Sequence, residues 1–219
     1  LFMARNLQRQ ARQQEQDVAA RRVLFFFTQD VGEANGFTSY TASNLTFTVP
    51  RPLMHSSTTS GGASVTTADT TGVVAGNALV GPGVPSGATV GAVKSATTLE
   101  FPKGVKATAT TADVVLYVPG LNTTISYVYT SGTGTLTRTE ASGTTTILKN
   151  IDPSATNKFI YYDGSGTALT LPLASAANVK NIGFSFTTKA GSAAVGTQSS
   201  YVIQSPRVVL RNWNGSLLP

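Results

Sequence analysis

The spacing of apolar residues changes period once, at Gly36, and no other feature of the sequence constrains the fold as much. Residues 4 to 35 contain no proline and are dominated by Ala, Arg, Gln, Glu and Leu, all good helix formers. They predict one helix, about 45 Å long at 1.5 Å per residue, with Gly36 after Asn35 as its C-cap. From Gly36 onwards the period is 2, the signature of strands with one buried face.

The helix has two halves of different character. In the first, only Leu7, Ala11 and Val18 mark a narrow apolar line. In the second, Ala20, Leu24, Phe27 and Val31 follow a helical repeat, with Val23, Phe25 and Phe26 beside them. Only the second half is apolar enough to bury a face. Leu24, Phe27 and Val31 are therefore expected to pack on the chain's own sheet, and Leu7, Ala11 and Val18 to be left for solvent or for another chain. Glu15 with Ala19, and Asp17 with Arg21 or Arg22, are ordinary helix-surface neighbours.

Strand signals follow in order. "NLTFTV" (44–49) places Leu45, Phe47 and Val49 on one face, and "TTISYVYT" (123–130) does the same with Ile125, Tyr127 and Tyr129. Residues 134–150 read as a hairpin around Ser142-Gly143, and 158–171 as a second hairpin turning at Asp163-Gly164-Ser165-Gly166. Residues 178–189 and 200–212 read as a third pair, in which Pro206 marks an edge or a bulge. Phe184, Phe186, Phe159 and Tyr161 are the candidates to face the helix. Between the first two strands, residues 56 to 119 are rich in Gly, Ala, Thr and Val, bordered by Pro50, Pro52 and Pro119. That is too long for a loop and reads as a small all-β insertion, dividing the chain into 1–55, 56–119 and 120–219.

The chemistry of the sequence excludes more than it offers. Cysteine is absent, so there is no disulfide framework, thiol nucleophile or cysteine zinc site. His55 is the only histidine. It reads as a solvated loop residue and has no second histidine to pair with on a metal. No Gly-x-Ser-x-Gly elbow appears. "GPGVPSG" lacks the Lys-Ser/Thr of a phosphate loop. The "DGSG" turn offers one acid where calcium needs six or more oxygens. No enzyme, cofactor or metal is expected. Charged residues are only 12% of the chain and the net charge is +6, yet residues 4 to 33 carry just one net positive charge. With no dense basic stripe interleaved with aromatics, no nucleic-acid partner is expected. No run of about 20 apolar residues is present to span a membrane, and the abrupt "LFMA" start reads as the edge of a missing apolar stretch.

With the insertion set aside, four stretches resemble the type IV pilin-like superfamily, and more narrowly the J-type minor pseudopilins of type II secretion and the W-type minor pilins. They are "RRVLFFFTQDVGEANGF", "TISYVYTSGTGTLTRTE", "FIYYDGSGTAL" and "ANVKNIGFSFTTK". Leu24, Asp30 and Ala34 match the family's helix end. Tyr127, Leu136 and Arg138 match the following strands. Phe159, Tyr161, Asp163 and Gly166 match the next motif, and Val179 and Ile182 the last. The resemblance covers residues 1 to 49 and 120 to 212. It implies an α+β pilin-like fold, a long N-terminal helix packed on an antiparallel sheet. It implies a non-catalytic filament subunit whose helix continues upstream as a membrane anchor. Its partners would be other pilin-like subunits and the filament assembly platform. Its location would be the inner membrane with a periplasmic domain, or the filament outside the cell. The insertion resembles Gly/Pro-rich β-modules of surface adhesins and phage tails through Gly81, Gly83, Val84, Pro85, Gly87 and Val90. That resemblance implies the other reading, a binding module that touches a surface, a glycan or a secreted substrate.

Overall fold

A computed structural model describes residues 2–190 and 199–211. The chain divides into two compact units, Leu1–Val49 with Thr124–Pro219, and Pro50–Thr123.

In the first unit, helix α1 runs Phe2–Gly32. It ends where Glu33 and Ala34 turn back on the carbonyls of Gln29 and Val31 and Asn35 donates to Thr48 O. Gly36 is not its cap: it opens strand β1, opposite Thr48. One antiparallel sheet takes β1 (Gly36–Tyr40), β2 (Asn44–Pro50), β8 (Asn122–Thr130), β9 (Thr135–Glu140) and β10 (Gly143–Leu148), in the order β1-β2-β8-β9-β10. The alternation read from the sequence holds in β2, where Leu45, Phe47 and Val49 are buried and their neighbours are not.

A separate antiparallel sheet takes β11 (Lys158–Tyr162), β12 (Asn181–Ala190), β13 (Ser199–Gln204) and β14 (Val208–Val209). Strand β11 does not form a hairpin with the residues after the "DGSG" turn. It pairs with β12, setting Phe159 opposite Phe184 and Tyr161 opposite Ile182, and only a single bridge, Tyr162 to Ala168, follows the turn. Strands β13 and β14 lie along the same side of β12. The stretch between them holds Pro206, and Ser205 Oγ there accepts from Phe184 N. The Gly/Ser/Ala loop leading into β13 lies outside the described residues.

The second unit is a five-stranded antiparallel sheet with its own core. Its strands are β3 (Leu53–Thr58), β4 (Ser64–Thr66), β5 (Ala92–Ser95), β6 (Thr98–Glu100) and β7 (Thr111–Leu116), ordered β5-β6-β4-β3-β7. Leu53, Val65, Leu79, Leu99, Phe101 and Leu116 are buried together. The glycine-proline motif is explained by this packing. The segment crosses so close to the sheet that a Cβ on Gly83 would overlap Thr58 Oγ1, and Gly83 also sits at φ 75°. Leu79, Ala88 and Val90 then drop into the core on either side.

The expectation of an α+β chain, with a long helix laid on one antiparallel sheet, is corrected. Among the described residues the chain is mostly β, with fourteen strands in three antiparallel sheets, a single α-helix of 31 residues and one 3₁₀ turn at Ala176–Asn178. The sheet that begins at β1 stops at β10. The stretch after it holds Pro153, which has no N–H to donate, and a turn in which Asp152 accepts from Ser154. Among the described residues that stretch meets β12 through the single Ile151–Thr188 bridge and two side-chain links, Thr187 N donating to Asn157 Oδ1 and the Asp152–Lys189 ion pair. The apolar half of α1 is therefore held among side chains from two sheets.

Candidate functional site: the helix and its buried anchor

Helix α1 changes environment partway along its length. Gln10, Ala11, Gln14, Glu15 and Asp17 are exposed, and Val18 is 67% exposed. From Ala20 the face formed by Ala20, Val23, Phe27, Asp30 and Val31 is buried. Of the residues read as packing anchors, Phe27, Val31, Phe184 and Phe186 are fully enclosed, and Leu24 is half-buried against the same core. Of the residues read as free for a neighbour, Ala11 and Val18 face solvent. Leu7 falls among the side chains that lie outside the described residues.

The anchor is aromatic. The Phe27 ring meets Phe184 edge-on at 4.8 Å and Tyr127 edge-on at 5.6 Å, and lies parallel to Phe159 at 6.2 Å. Phe184 and Phe186 are 5.3 Å apart. Edge-to-face pairs add about 0.5–1.5 kcal/mol each beyond the area they bury. The neighbouring phenylalanines behave differently. Phe26 is half-buried with Arg138 5.1 Å and Arg22 5.6 Å from its ring centre, whereas Phe25 is 64% exposed.

A polar lock sits within this apolar core. Arg138 of β9 grips Asp30 with two parallel bonds, Nε to Oδ2 at 2.6 Å and Nη2 to Oδ1 at 3.1 Å. Tyr127 of β8 donates its hydroxyl to the same Oδ2 at 2.6 Å. Arg138 Nη1 also reaches Glu140 at 2.8 Å. Burial pushes the Tyr127 hydroxyl well up, and the Asp30 charge beside it adds to that, so Tyr127 is a permanent donor here. The bonds to Asp30 outweigh burial at Arg138 and raise it, keeping its guanidinium charged. Burial works against the Glu140 charge, but bonds from Ser142 and Arg138 prevail and hold its carboxyl below the ordinary value. The residue-by-residue reading did not join these positions, because Asp30 lies 97 residues before Tyr127 and 108 before Arg138. Only the resemblance singled out Asp30, Tyr127 and Arg138 together.

Beside the exposed half of α1 lies an open groove of about 750 Å³. Its walls include Glu15, Val18 and Arg22 from the helix and Ile147, Lys149 and Ile203 from the strands. Ile147 and Ile203 are buried and form part of its floor. Asp17 makes no ion pair with Arg21 or Arg22 among the described residues.

The other candidate groups are placed as follows. His55 is in strand β3, not a loop. Its Nδ1 lies 2.6 Å from Oδ1 of Asp113 on β7, and both side chains are largely exposed. Both residues have positive φ, 49° and 52°, at irregularities where the register of β3 and β7 shifts. Oδ1 of Asp163 accepts from Ser165 N, Ser165 Oγ and Thr167 N, so it is used to close its own turn. Among the described residues there is no group of three or more His, Cys, Asp or Glu side chains that could hold a metal ion. Among them also, no helix is long and apolar enough to cross a membrane. Comparison with protein families, with characterised proteins and with solved structures gives no match.

Proposed function

We propose that this chain is a non-catalytic subunit of a pilin-like filament, of the minor pilin or pseudopilin kind, which assembles with other subunits through the first half of α1. One observation carries the reading: a single helix is fixed at one end by Phe27 and the Asp30–Arg138–Tyr127 lock, while Ala11 and Val18 are exposed among the described residues. A fixed exit direction and an unused helical face are what a polymerising rod needs, since every subunit must present the same surface at the same angle. The resemblance in the sequence supports the same reading, because three of its residues are the three members of the lock. Its partners would be other pilin-like subunits and an assembly platform. Its location would be an inner-membrane anchor with a periplasmic domain, or the filament itself.

The test uses the absence of native cysteine. Cysteines placed at Ala11 and Val18 should cross-link the chain to another subunit in sheared filament fractions from cells that produce it. A cysteine at the exposed Phe25 serves as the control on the anchored half. Recovery of the chain only as an uncross-linked monomer outside those fractions would overturn the proposal.

A second reading is a binding module. It is favoured by the separate core of Pro50–Thr123 and by its exposed apolar pair, Val80 beside Tyr117. Removing 50–123 separates the two. Under the filament reading assembly survives, and under the binding reading adhesion to a surface, glycan or secreted substrate is lost.

A further inference from the structure

The "DGSG" turn closes on itself, but its last glycine has an external use. Arg207 donates from Nη1 to Gly166 O at 3.0 Å, and its guanidinium carbon lies 4.4 Å from the centre of the Tyr162 ring. Gly166 sits at φ 83°, and a Cβ there would come within 2.8 Å of that same Nη1. The turn is thus a seat for one guanidinium, shaped by a residue that must be glycine. Four residues on, just past β14, Arg211 is exposed and lines the same cleft. Arg207, Val209 and Arg211 are exposed in alternation with the buried Val208 and Leu210. Among the described residues, neither arginine pairs with a carboxylate. Together they line one side of a cleft of about 450 Å³, with Thr28, Gln29 and Glu33 of the helix end across from them.

An arginine immobilised by a carbonyl and a ring, with no neutralising acid, is prepared for an anion that comes from elsewhere. Its planar fork still has donors to offer, and holding it still in advance removes part of the entropic cost of binding. Arg211 supplies a second guanidinium, and on an extended chain two residues four apart lie about 13 Å from each other. That spacing matches acids four apart on an extended peptide, and a lone phosphate cannot span it.

We infer that the Arg207–Arg211 cleft is a binding site for an extended acidic peptide segment of a partner protein, carrying two carboxylates four residues apart. Arg207 takes the first carboxylate, Arg211 takes the second, and Val209 between them meets an apolar side chain. Glu33 on the opposite wall opposes binding and sets a limit on affinity. The site does not depend on the filament reading.

The test uses the whole chain and two probes, acetyl-Glu-Thr-Val-Thr-Glu-amide and its Gln counterpart, followed by calorimetry at low ionic strength. The Glu peptide should bind about tenfold more tightly than the Gln peptide, the difference expected for one to two charge-assisted bonds. Arg207→Gln and Arg211→Gln should each remove that preference. Arg207→Lys keeps the charge but loses the fork, and Gly166→Ala keeps both but spoils the seat, so both should weaken binding. Glu33→Gln should strengthen it. Lys103→Gln with Lys106→Gln, in the other unit, should change nothing. Equal binding of the two peptides, an equal loss in the Lys103→Gln/Lys106→Gln variant, or full displacement by inorganic phosphate at matched ionic strength would each overturn the assignment.

Discussion

Nε of Arg138 lies 2.6 Å from Oδ2 of Asp30, a residue 108 positions earlier in the chain, in a setting where both side chains are almost wholly buried. Such a pair gains its attraction only after two charges have left water, so its net contribution is small while both members are present. Removing one member is different, because the other keeps its buried charge with only a weaker partner, Glu140 for Arg138 or the Tyr127 hydroxyl for Asp30. Asp30→Ala should cost about 3–5 kcal/mol. Tyr127→Phe, which removes one bond to the same oxygen, should cost nearer 1–3 kcal/mol. Replacing both charges, Asp30→Leu with Arg138→Leu, should recover most of the loss. Urea unfolding of the unmodified chain, Asp30→Leu, Arg138→Leu and the double variant forms a double-mutant cycle and reads the coupling directly. Strictly additive losses would mean that the lock is not a unit.

Three consecutive phenylalanines meet three different fates, and the helix geometry decides which is which. At about 100° per residue, Phe25 is turned roughly 200° from Phe27. Phe27 is fully enclosed by Tyr127, Phe159 and Phe184, whereas Phe25 is 64% exposed. Phe27→Ala should destabilise the chain by about 3–5 kcal/mol, the transfer loss plus the cavity left behind. Phe25→Ala should stay within about 0.5 kcal/mol. Denaturant midpoints with unchanged slopes would check both values.

These contrasts show which parts of the fold were legible. Leu45, Phe47 and Val49 could be read because alternation is local and one face of β2 is buried. The buried half of α1 could be read from the spacing of Ala20, Leu24, Phe27 and Val31. The partner of β11 could not. The turn signal at Asp163–Gly166 is real, but pairing was decided by Phe159 against Phe184 and Tyr161 against Ile182, about twenty residues away, where aromatic burial outweighs a short hairpin. The division of the first unit's strands into two sheets was missed for a related reason. Periodicity says which residues share a face, and it does not say which strands share hydrogen bonds. The lock was legible only as separate polar residues, since nothing local in "FTQDVG" says that Asp30 is buried. His55 and Asp113, 58 residues apart, carry no mark of their pairing at all.

In the second unit, Gly83 tests how tightly the glycine-proline segment is seated. It combines φ 75° with a side-chain direction occupied by Thr58 Oγ1 and crowded by Thr111 and Ala109. Gly83→Ala must either strain the backbone or lift the segment off the sheet, which makes a loss of about 1–3 kcal/mol the expected outcome. Gly87 has a similar φ, 72°, but open space around its Cβ direction. Gly87→Ala should therefore show only the conformational part, about 1 kcal/mol. Amide exchange at the buried Val65 and Leu99 would report both losses, and equal effects would show that crowding at Gly83 contributes nothing.

The stretch between the two sheets of the first unit should respond to acid. Asp152 is tied to Lys189 Nζ at 2.7 Å and accepts from Ser154 N and Oγ. The bond to Lys189 is the largest cause, and with those from Ser154 it holds the carboxyl at about 2, below its ordinary 3.8. A depressed folded value means that the folded state binds the proton less readily than the unfolded chain does. The group therefore stabilises the fold above its unfolded value, and that contribution is lost as pH falls from about 4 towards about 2. Asp152→Asn should flatten this part of the curve of Tm against pH. Lys189→Met should move the loss to higher pH, because the main cause of the depression is gone. Asp69, Glu140 and Asp163 are also held below their ordinary values, so a residual acid slope should persist in both variants. An Asp152 carboxyl that titrates near 3.8 by NMR, or an acid limb unchanged in Asp152→Asn, would show that the bridge to Lys189 does not act in solution.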